Sequence, residues 1–170
     1  KRQLLLGQRP PRFDSSFDEA IALTGDDFER VALKAESARD YFLLVGPPGT
    51  GKTSRALRRM VEHFYAASSM QILLLAYTNR AVDEICQSLS SITPCIDYIR
   101  VGSELSCDVR FRGHLLENIL AECNSRREVN IRMADCRVYV GTVASIAAKA
   151  ELFKLKRFDV AIVDEATQIL

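Results

Sequence analysis

Residues 46–53 form a glycine-rich run that ends in lysine and threonine. The run reads Gly46, Pro47, Pro48, Gly49, Thr50, Gly51, Lys52, Thr53. It matches the phosphate-loop pattern G-x-x-x-x-G-K-[ST] at every fixed position. Glycines let the backbone turn so that several N–H groups face one anion, and the start of a following helix adds partial positive charge. The run therefore predicts a phosphate-binding loop, and a glycine-rich turn without a ligand is the alternative interpretation.

Two side chains of this loop carry the predicted chemistry. Lys52 is expected to reach the β- and γ-phosphates of a nucleoside triphosphate, and the hydroxyl of Thr53 is expected to ligate Mg²⁺. The other residues of 46–53 are expected to hold the phosphates, chiefly through the backbone. The loop thus predicts a nucleotide site that contains a metal ion.

Apolar runs and helical spacing alternate along the chain around the loop. Residues 41–45 precede it as a continuous apolar run, which is typical of a strand buried on both faces. Four further apolar runs predict strands at 72–76, 98–101, 138–140 and 160–163. Helical spacing predicts helices at 26–38, 52–64, 82–89 and 143–150. This alternation predicts the α/β class, with a parallel sheet covered by helices on both faces.

An acidic pair, Asp164 and Glu165, directly follows the last predicted strand. Ligands of α/β proteins bind at the carboxyl ends of the strands. Asp164 is expected to hold Mg²⁺, and Glu165 is expected to polarise the attacking water. Two adjacent carboxylates repel unless a cation lies between them, which favours a metal over the alternative of a solvated acid pair.

Composition narrows the class of protein further. The 170 residues are 48% hydrophobic and 26% charged, which is ordinary globular usage and argues against a disordered or fibrous chain. The net charge of +1 does not by itself indicate nucleic acid. The apolar runs are far shorter than the roughly 18 residues that span a bilayer, so no membrane partner is expected. The five widely spaced cysteines predict buried, reduced thiols rather than a zinc site or disulfides. His63 and His114 stand apart from any carboxylate-rich motif and are expected to be structural or exposed.

Four motifs, in order along the chain, resemble superfamily 1 helicases of the nonsense-mediated-decay branch. That branch is known for a GPPGTGKT loop and a DEA-[AST]-Q acidic motif, which here reads Asp164, Glu165, Ala166, Thr167, Gln168. Residues 76–83 resemble the family's A-x-[ST]-N-x-A-V-D stretch, and residues 140–145 resemble its G-T-x-x-S segment. The resemblance extends from about residue 23 to the last residue.

The resemblance implies a RecA-like P-loop NTPase domain at residues 23–170, which follows an N-terminal segment at residues 1–22 and contains a partly helical insertion at about 103–136. It implies catalytic roles for Lys52, Asp164, Glu165 and Gln168. It also implies that Thr78, Asn79 and Thr142 contact a nucleic-acid backbone. A role of Thr78 and Thr142 as helix N-caps alone is the alternative.

An ATP-driven motor is the activity that the resemblance implies, with ATP as substrate, Mg²⁺ as cofactor and single-stranded DNA or RNA as partner. The family places a sensor strand and a second RecA-like domain after the acidic motif, so residues 1–170 alone are expected to bind ATP and hydrolyse it slowly. A cytoplasmic or nuclear location is expected. A P-loop nucleotide kinase and a non-catalytic nucleotide-dependent interaction module are the alternatives.

Two features of the sequence qualify the resemblance. The family usually carries L-N-x-x-Q before its first helix, and its glutamine reads the adenine edge, whereas residues 23–27 place Asp27 there. An ionised aspartate only accepts hydrogen bonds, so weak adenine selectivity is expected. Six arginines predict a flank for a nucleic-acid strand or, alternatively, a charged helical cover. They are Arg110, Arg112, Arg126, Arg127, Arg132 and Arg137.

Overall fold

The computed structural model describes residues 2–5, 7–47, 49–67 and 69–169. The chain divides into two compact units, Lys1–Phe64 and Tyr65–Leu170. No helix in the described ranges is long and apolar enough to cross a membrane.

The first unit is helical. Its elements are α1 (Arg2–Leu5), a 3₁₀ turn (Ser15–Phe17), α2 (Asp18–Leu23), α3 (Asp27–Ser37), a π-helical stretch (Lys52–Leu57) and the start of α4 (Arg58–Ala67). The Asp26 carboxylate caps α3 by accepting the N–H of Phe28 at 2.9 Å. Predicted helices 26–38 and 52–64 are therefore confirmed, although the second begins with π-helical geometry.

The predicted strand at residues 41–45 is wrong. These residues form no strand, and the side chains of Leu43 and Val45 are 74% and 92% exposed. An apolar run favours extended backbone, but a strand exists only when a neighbour satisfies its N–H and C=O groups. None of the described strands pairs with residues 41–45.

The second unit contains a parallel four-stranded sheet. Its strands are β1 (Ile72–Ala76), β2 (Tyr98–Val101), β3 (Val138–Thr142) and β4 (Val160–Val163), in the order β2-β3-β1-β4. In the register, Leu74 of β1 lies opposite Val140 on one side and Ile162 on the other. Four strand predictions and the α/β P-loop NTPase fold class are confirmed.

Helices cover both faces of this sheet. They are α5 (Asn79–Ser90), α6 (Leu116–Ala121), α7 (Arg126–Asp135), α8 (Val143–Ala148) and α9 (Leu152–Leu155), with 3₁₀ turns at Glu104–Ser106 and Val109–His114. Alternate residues of the strands, such as Leu73, Ile99 and Tyr139, pack with residues of α6 to α9. The opposite face of β2 contacts α5 through Arg100. Alternation of strand side chains thus places α5 and the other four helices on opposite faces.

The glycine of the G-T-x-x-S segment has a packing role. Gly141 lies opposite Val101 in the β2–β3 register. A Cβ atom at Gly141 would lie 2.8 Å from the carbonyl oxygen of Val101 and 3.3 Å from the side chain of Ile146. Only glycine fits this position without displacing backbone, so the motif glycine is explained by strand packing.

Candidate functional site

The phosphate loop is held by its own side chains. The Lys52 ammonium donates to the carbonyl oxygens of Gly46 at 2.6 Å and Pro47 at 2.7 Å. The hydroxyl of Thr50 donates to the Pro47 carbonyl at 2.8 Å. Pro48 lies outside the described residues. These contacts direct the lysine across the loop, where its charge can meet a phosphate.

Two glycines give the loop its backbone path. Gly49 and Gly51 have φ angles of 79° and 81°, in the left-handed region that favours glycine. The carbonyl of Gly51 accepts the N–H groups of Arg55 and Ala56, both at 2.9 Å, and so starts the π-helical stretch at Lys52. The start of a helix of this kind is a common binding site for anions such as phosphate.

Helix α3 contacts the helix that follows the loop. The guanidinium of Arg55 lies 4.1 Å from the ring centroid of Phe28, a cation–π contact. The neighbouring Asp27 is exposed and accepts from Arg30 at 2.7 Å. Arg30 also donates to the Thr24 carbonyl at 2.9 Å. The segment in which the family reads adenine therefore presents a carboxylate already paired with an arginine.

His63 stands apart from acidic motifs in the sequence, but the fold places it between two carboxylates. Its Nε2 lies 2.7 Å from Glu29 and its Nδ1 lies 3.2 Å from Glu36. Both glutamates belong to α3 and are spaced two helical turns apart, so one face of α3 presents them to α4. His63 is structural, as expected, but it is held between two acids.

The acidic pair continues strand β4. The N–H of Asp164 donates to the Leu75 carbonyl of β1 at 2.8 Å, and the Asp164 carboxylate accepts the N–H of Glu165 at 3.0 Å. Glu165 has φ 51°, the one positive φ of a non-glycine residue in the described ranges. Such backbone is unfavourable for a residue with a Cβ and is found mostly at turns and functional sites. Glu165 and Gln168 are exposed, and Gln168 ends the 3₁₀ turn Ala166–Gln168.

The predicted metal ligands belong to different units. Thr53 lies in the first unit and Asp164 in the second. A hydroxyl and a carboxylate are hard oxygen donors, so this donor set fits Mg²⁺, which keeps several waters and few protein ligands. The described residues contain no cluster of three or more His, Cys, Asp or Glu side chains placed to hold a metal.

Thr78 and Thr142 are both helix N-caps. The Thr78 hydroxyl accepts the N–H of Ala81 at 3.1 Å, and the Thr142 hydroxyl accepts the N–H of Ser145 at 3.0 Å. Thr78 and Asn79 are exposed at the carboxyl end of β1, whereas Thr142 is 6% exposed. The capping alternative is therefore present at both threonines, and the exposed pair Thr78 and Asn79 is the more accessible to a ligand.

Most of the six arginines are engaged within the chain. Arg110 pairs with Asp108 at 2.9 Å, Arg112 with Glu104 at 2.9 Å, and Arg132 with Asp97 at 2.8 Å. The guanidinium of Arg137 lies 3.6 Å from the ring centroid of Tyr65. This pairing favours the charged-cover alternative for residues 103–136.

The cysteines are free thiols. Cys86, Cys107 and Cys136 are buried, as expected, whereas Cys95 is exposed and Cys123 is half-buried. Burial raises the pKa of the Cys86 thiol to about 12 and that of Cys136 to about 11. These two thiols therefore stay protonated and unreactive at neutral pH.

The burial of one charged residue was not predicted from the sequence. Arg100 lies in the middle of β2, its side chain is 1% exposed, and it pairs with Asp83 of α5. The signal was a single arginine inside the apolar run at residues 98–101. Asp83 belongs to the A-V-D part of the second motif, for which no role was predicted.

Comparisons with known proteins identify one family and several relatives. A family described as an AAA domain matches residues 25–132. The DNA replication ATP-dependent helicase/nuclease JHS1 of Arabidopsis thaliana is 32% identical over 99% of this chain and 13% of its own length. The DNA replication ATP-dependent helicase/nuclease DNA2 of Homo sapiens is 28% identical over 99% of this chain and 17% of its own length.

The chain thus spans less than a fifth of the length of either relative. The motifs and these relatives support the first domain of a superfamily 1 helicase, but the nonsense-mediated-decay branch is not confirmed, because both relatives are DNA replication helicase/nucleases. Since the family match covers more than half of the sequence, the chain belongs to the AAA domain family.

Proposed function

We propose that this chain is the ATP-binding motor domain of an ATP-dependent nucleic-acid helicase that couples ATP hydrolysis to movement along a single strand. The observation that carries the proposal is the complete phosphate loop, with Lys52 held across it by two backbone carbonyls. The acidic pair at the carboxyl end of β4 is the second support. The names of the relatives, which are DNA replication ATP-dependent helicase/nucleases, favour DNA as the strand.

Within this proposal, the loop binds the phosphates of ATP and the acidic pair serves the hydrolysis. Lys52 and the backbone N–H groups of the non-proline residues of the loop neutralise phosphate charge. Thr53 and Asp164 are the proposed Mg²⁺ ligands, and the bound cation would offset the negative charge that develops on the phosphate oxygens. Glu165 accepts the proton of the attacking water. Gln168 of the same motif is also proposed as a catalytic residue.

The nucleic-acid strand is proposed to cross the carboxyl end of β1. Thr78 and Asn79 are exposed there at the start of the 12-residue helix α5. Unpaired N–H groups at a helix start and small polar side chains bind phosphate without reading sequence. Thr142 lies at the corresponding end of β3, in the G-T-x-x-S segment, and is proposed to contact the same nucleic-acid strand.

We further propose that residues 23–170 belong to one RecA-like domain preceded by an N-terminal segment at residues 1–22. The family match over residues 25–132 supports most of this extent. A second RecA-like domain is proposed in the parent protein. Within superfamily 1, the named relatives favour the DNA replication helicase/nucleases over the nonsense-mediated-decay branch.

The test is ATP hydrolysis by the full-length parent protein with and without single-stranded DNA or RNA of equal length. Stimulation of turnover by a single strand is expected, with the Glu165→Gln parent as the inactive control. Phosphoryl transfer to a nucleoside acceptor would instead identify a kinase. Tight nucleotide binding without turnover under any condition would identify a non-catalytic interaction module.

A further inference from the structure

A buried ion pair joins helix α5 to strand β2. The guanidinium of Arg100 donates to the Asp83 carboxylate and, at 3.3 Å, to the Ser106 carbonyl. Burial of Arg100 removes its charge from water, so its partners must supply the lost hydrogen bonds. The pair therefore holds α5, β2 and the loop after β2 in one arrangement.

The loop after β2 has two more attachments to α5. The Asp83 carboxylate also accepts the N–H of Asp108 at 3.4 Å. Arg110 donates to the side-chain oxygen of Gln87 at 2.7 Å. Asp83 and Gln87 are one helical turn apart, so they present the same face of α5 to residues 103–110.

This network lies next to the proposed strand contacts. Asp83 is one turn after Asn79, so the ion pair fixes the first turn of α5, which begins at the Thr78 cap. Residues 103–109 follow the carboxyl end of β2, and strands β1 and β2 are parallel members of one sheet. The loop and the start of α5 therefore share the carboxyl edge of the sheet.

The attached loop presents two bare apolar side chains at that edge. Leu105 is 98% exposed and Val109 is 72% exposed. Exposed apolar side chains can form part of an interaction surface, and the faces of unpaired bases are apolar surfaces of the kind that can cover them.

We propose that Asp83 and Arg100 are positioning residues that hold the start of α5 and the loop at residues 103–109 as one strand-binding edge. This inference rests on the proposed helicase function. Loss of the ion pair is expected to weaken the binding of single-stranded nucleic acid. Nucleotide binding should stay unchanged, since the phosphate loop is held by separate contacts.

The test uses the full-length parent with Asp83→Leu and Arg100→Met together. Replacement of both members of a buried ion pair by apolar residues is often neutral for stability, whereas removal of one member leaves an unpaired charge. We expect the KM for ATP and the turnover at saturating single-stranded DNA to stay unchanged. The DNA concentration for half-maximal stimulation should rise about tenfold, as expected for the loss of roughly one strong contact.

A matched control removes an exposed ion pair of the same unit, Asp97→Leu with Arg132→Met, and should leave the half-maximal DNA concentration unchanged. Hydrogen exchange adds a readout that needs no nucleic acid. The amides of residues 79–83 should exchange faster in the Asp83→Leu/Arg100→Met parent, while those of residues 138–142 should not.

If the double variant fails to fold, Arg100→Lys replaces it, because lysine keeps a cation beside Asp83 and loses the contact with Ser106. A smaller rise in the half-maximal DNA concentration is then expected. An unchanged DNA concentration together with unchanged exchange at residues 79–83 in a folded variant would overturn the positioning role. A wild-type parent that no single strand stimulates would overturn the proposed function instead, with the exchange result still deciding whether the pair orders α5.

Discussion

Two apolar runs of similar length, residues 41–45 and strand β4, each lead into one half of the proposed nucleotide site. β4 pairs with β1 along its length, and its pairing continues into the N–H of Asp164. Residues 41–45 pair with no described strand, and the side chains of Leu43 and Val45 face solvent. This comparison shows that an apolar run favours a strand, which forms only when a neighbouring strand pairs with it.

The two halves of the proposed site are consequently held in different ways. The phosphate loop depends on contacts within residues 46–53 and on two glycines of positive φ. The acidic pair depends on the position of β4 in the sheet and on an unfavourable backbone at Glu165. Changes in the loop should therefore act on binding, and changes in the sheet should act on stability or on hydrolysis.

The largest effect is expected at the sheet-held half. Glu165→Gln in the full-length parent should lower ATP turnover by about 10²–10⁴-fold, because an amide cannot accept the proton of water. Nucleotide affinity should stay near that of the wild type. Steady-state hydrolysis and calorimetry measure the two quantities, and Glu151→Gln, an exposed glutamate before α9, is the control. Near-normal turnover in Glu165→Gln would show that another residue is the base.

A pair of leucine substitutions tests the comparison of the two runs directly. Leu74→Ala in β1 should lower the free energy of unfolding by about 2–5 kcal/mol, because it leaves a cavity beside two paired strands. Leu43→Ala should change it by less than about 0.5 kcal/mol, because that side chain is exposed. Urea denaturation of both variants provides the measurement. Equal losses of stability would mean that residues 41–45 form a buried strand after all.

A change in the phosphate loop, which is held by local contacts, should alter nucleotide affinity. Lys52→Ala should weaken ATP and ADP binding by about 10–100-fold, the loss of one or two hydrogen bonds from a charged donor. The free energy of unfolding without nucleotide should change little, since the described hydrogen bonds of the lysine are to loop carbonyls. Titration calorimetry compares Lys52→Ala with Lys154→Ala, an exposed lysine of α9. Equal affinities for the two variants would remove the phosphate-binding role.

The smallest expected effect concerns base selectivity within the nucleotide-binding half. GTP should compete with ATP within a few-fold in the unmodified parent, and Asp27→Gln should shift the ratio toward ATP, because an amide can both donate and accept. Competition binding with the two nucleotides measures the ratio, with Asp18→Asn on α2 as the control. A strong preference for ATP before any substitution would place adenine recognition elsewhere.

Local patterns predicted much of the fold. The four strands of the sheet and helix α5 were found because their hydrophobic spacing lies within a few consecutive residues. The N-caps at Thr78 and Thr142 were foreseen for the same reason, since a cap bonds an N–H three residues away. The phosphate loop was recognisable because its glycines, lysine and threonine are adjacent in sequence.

Contacts between distant residues were not foreseeable in this way. The two glutamates at His63 are 34 and 27 residues away in the sequence, and Asp83 is 17 residues from Arg100. Nothing in the neighbouring sequence of Glu165 required its left-handed backbone. Each of these features depends on how helices and strands pack rather than on adjacent residues.

The phosphate loop, the acidic pair and most of the strands and helices could be predicted from the sequence, because local geometry and side-chain chemistry specify them. Packing between distant segments decided that residues 41–45 pair with no described strand and that Arg100 is buried against Asp83. It also decided that three of the six arginines within residues 110–137 form ion pairs with carboxylates. The physical reason is that pairing and burial are relations between segments. The local sequence indicates which element a segment favours, and contacts with other segments decide whether that element forms.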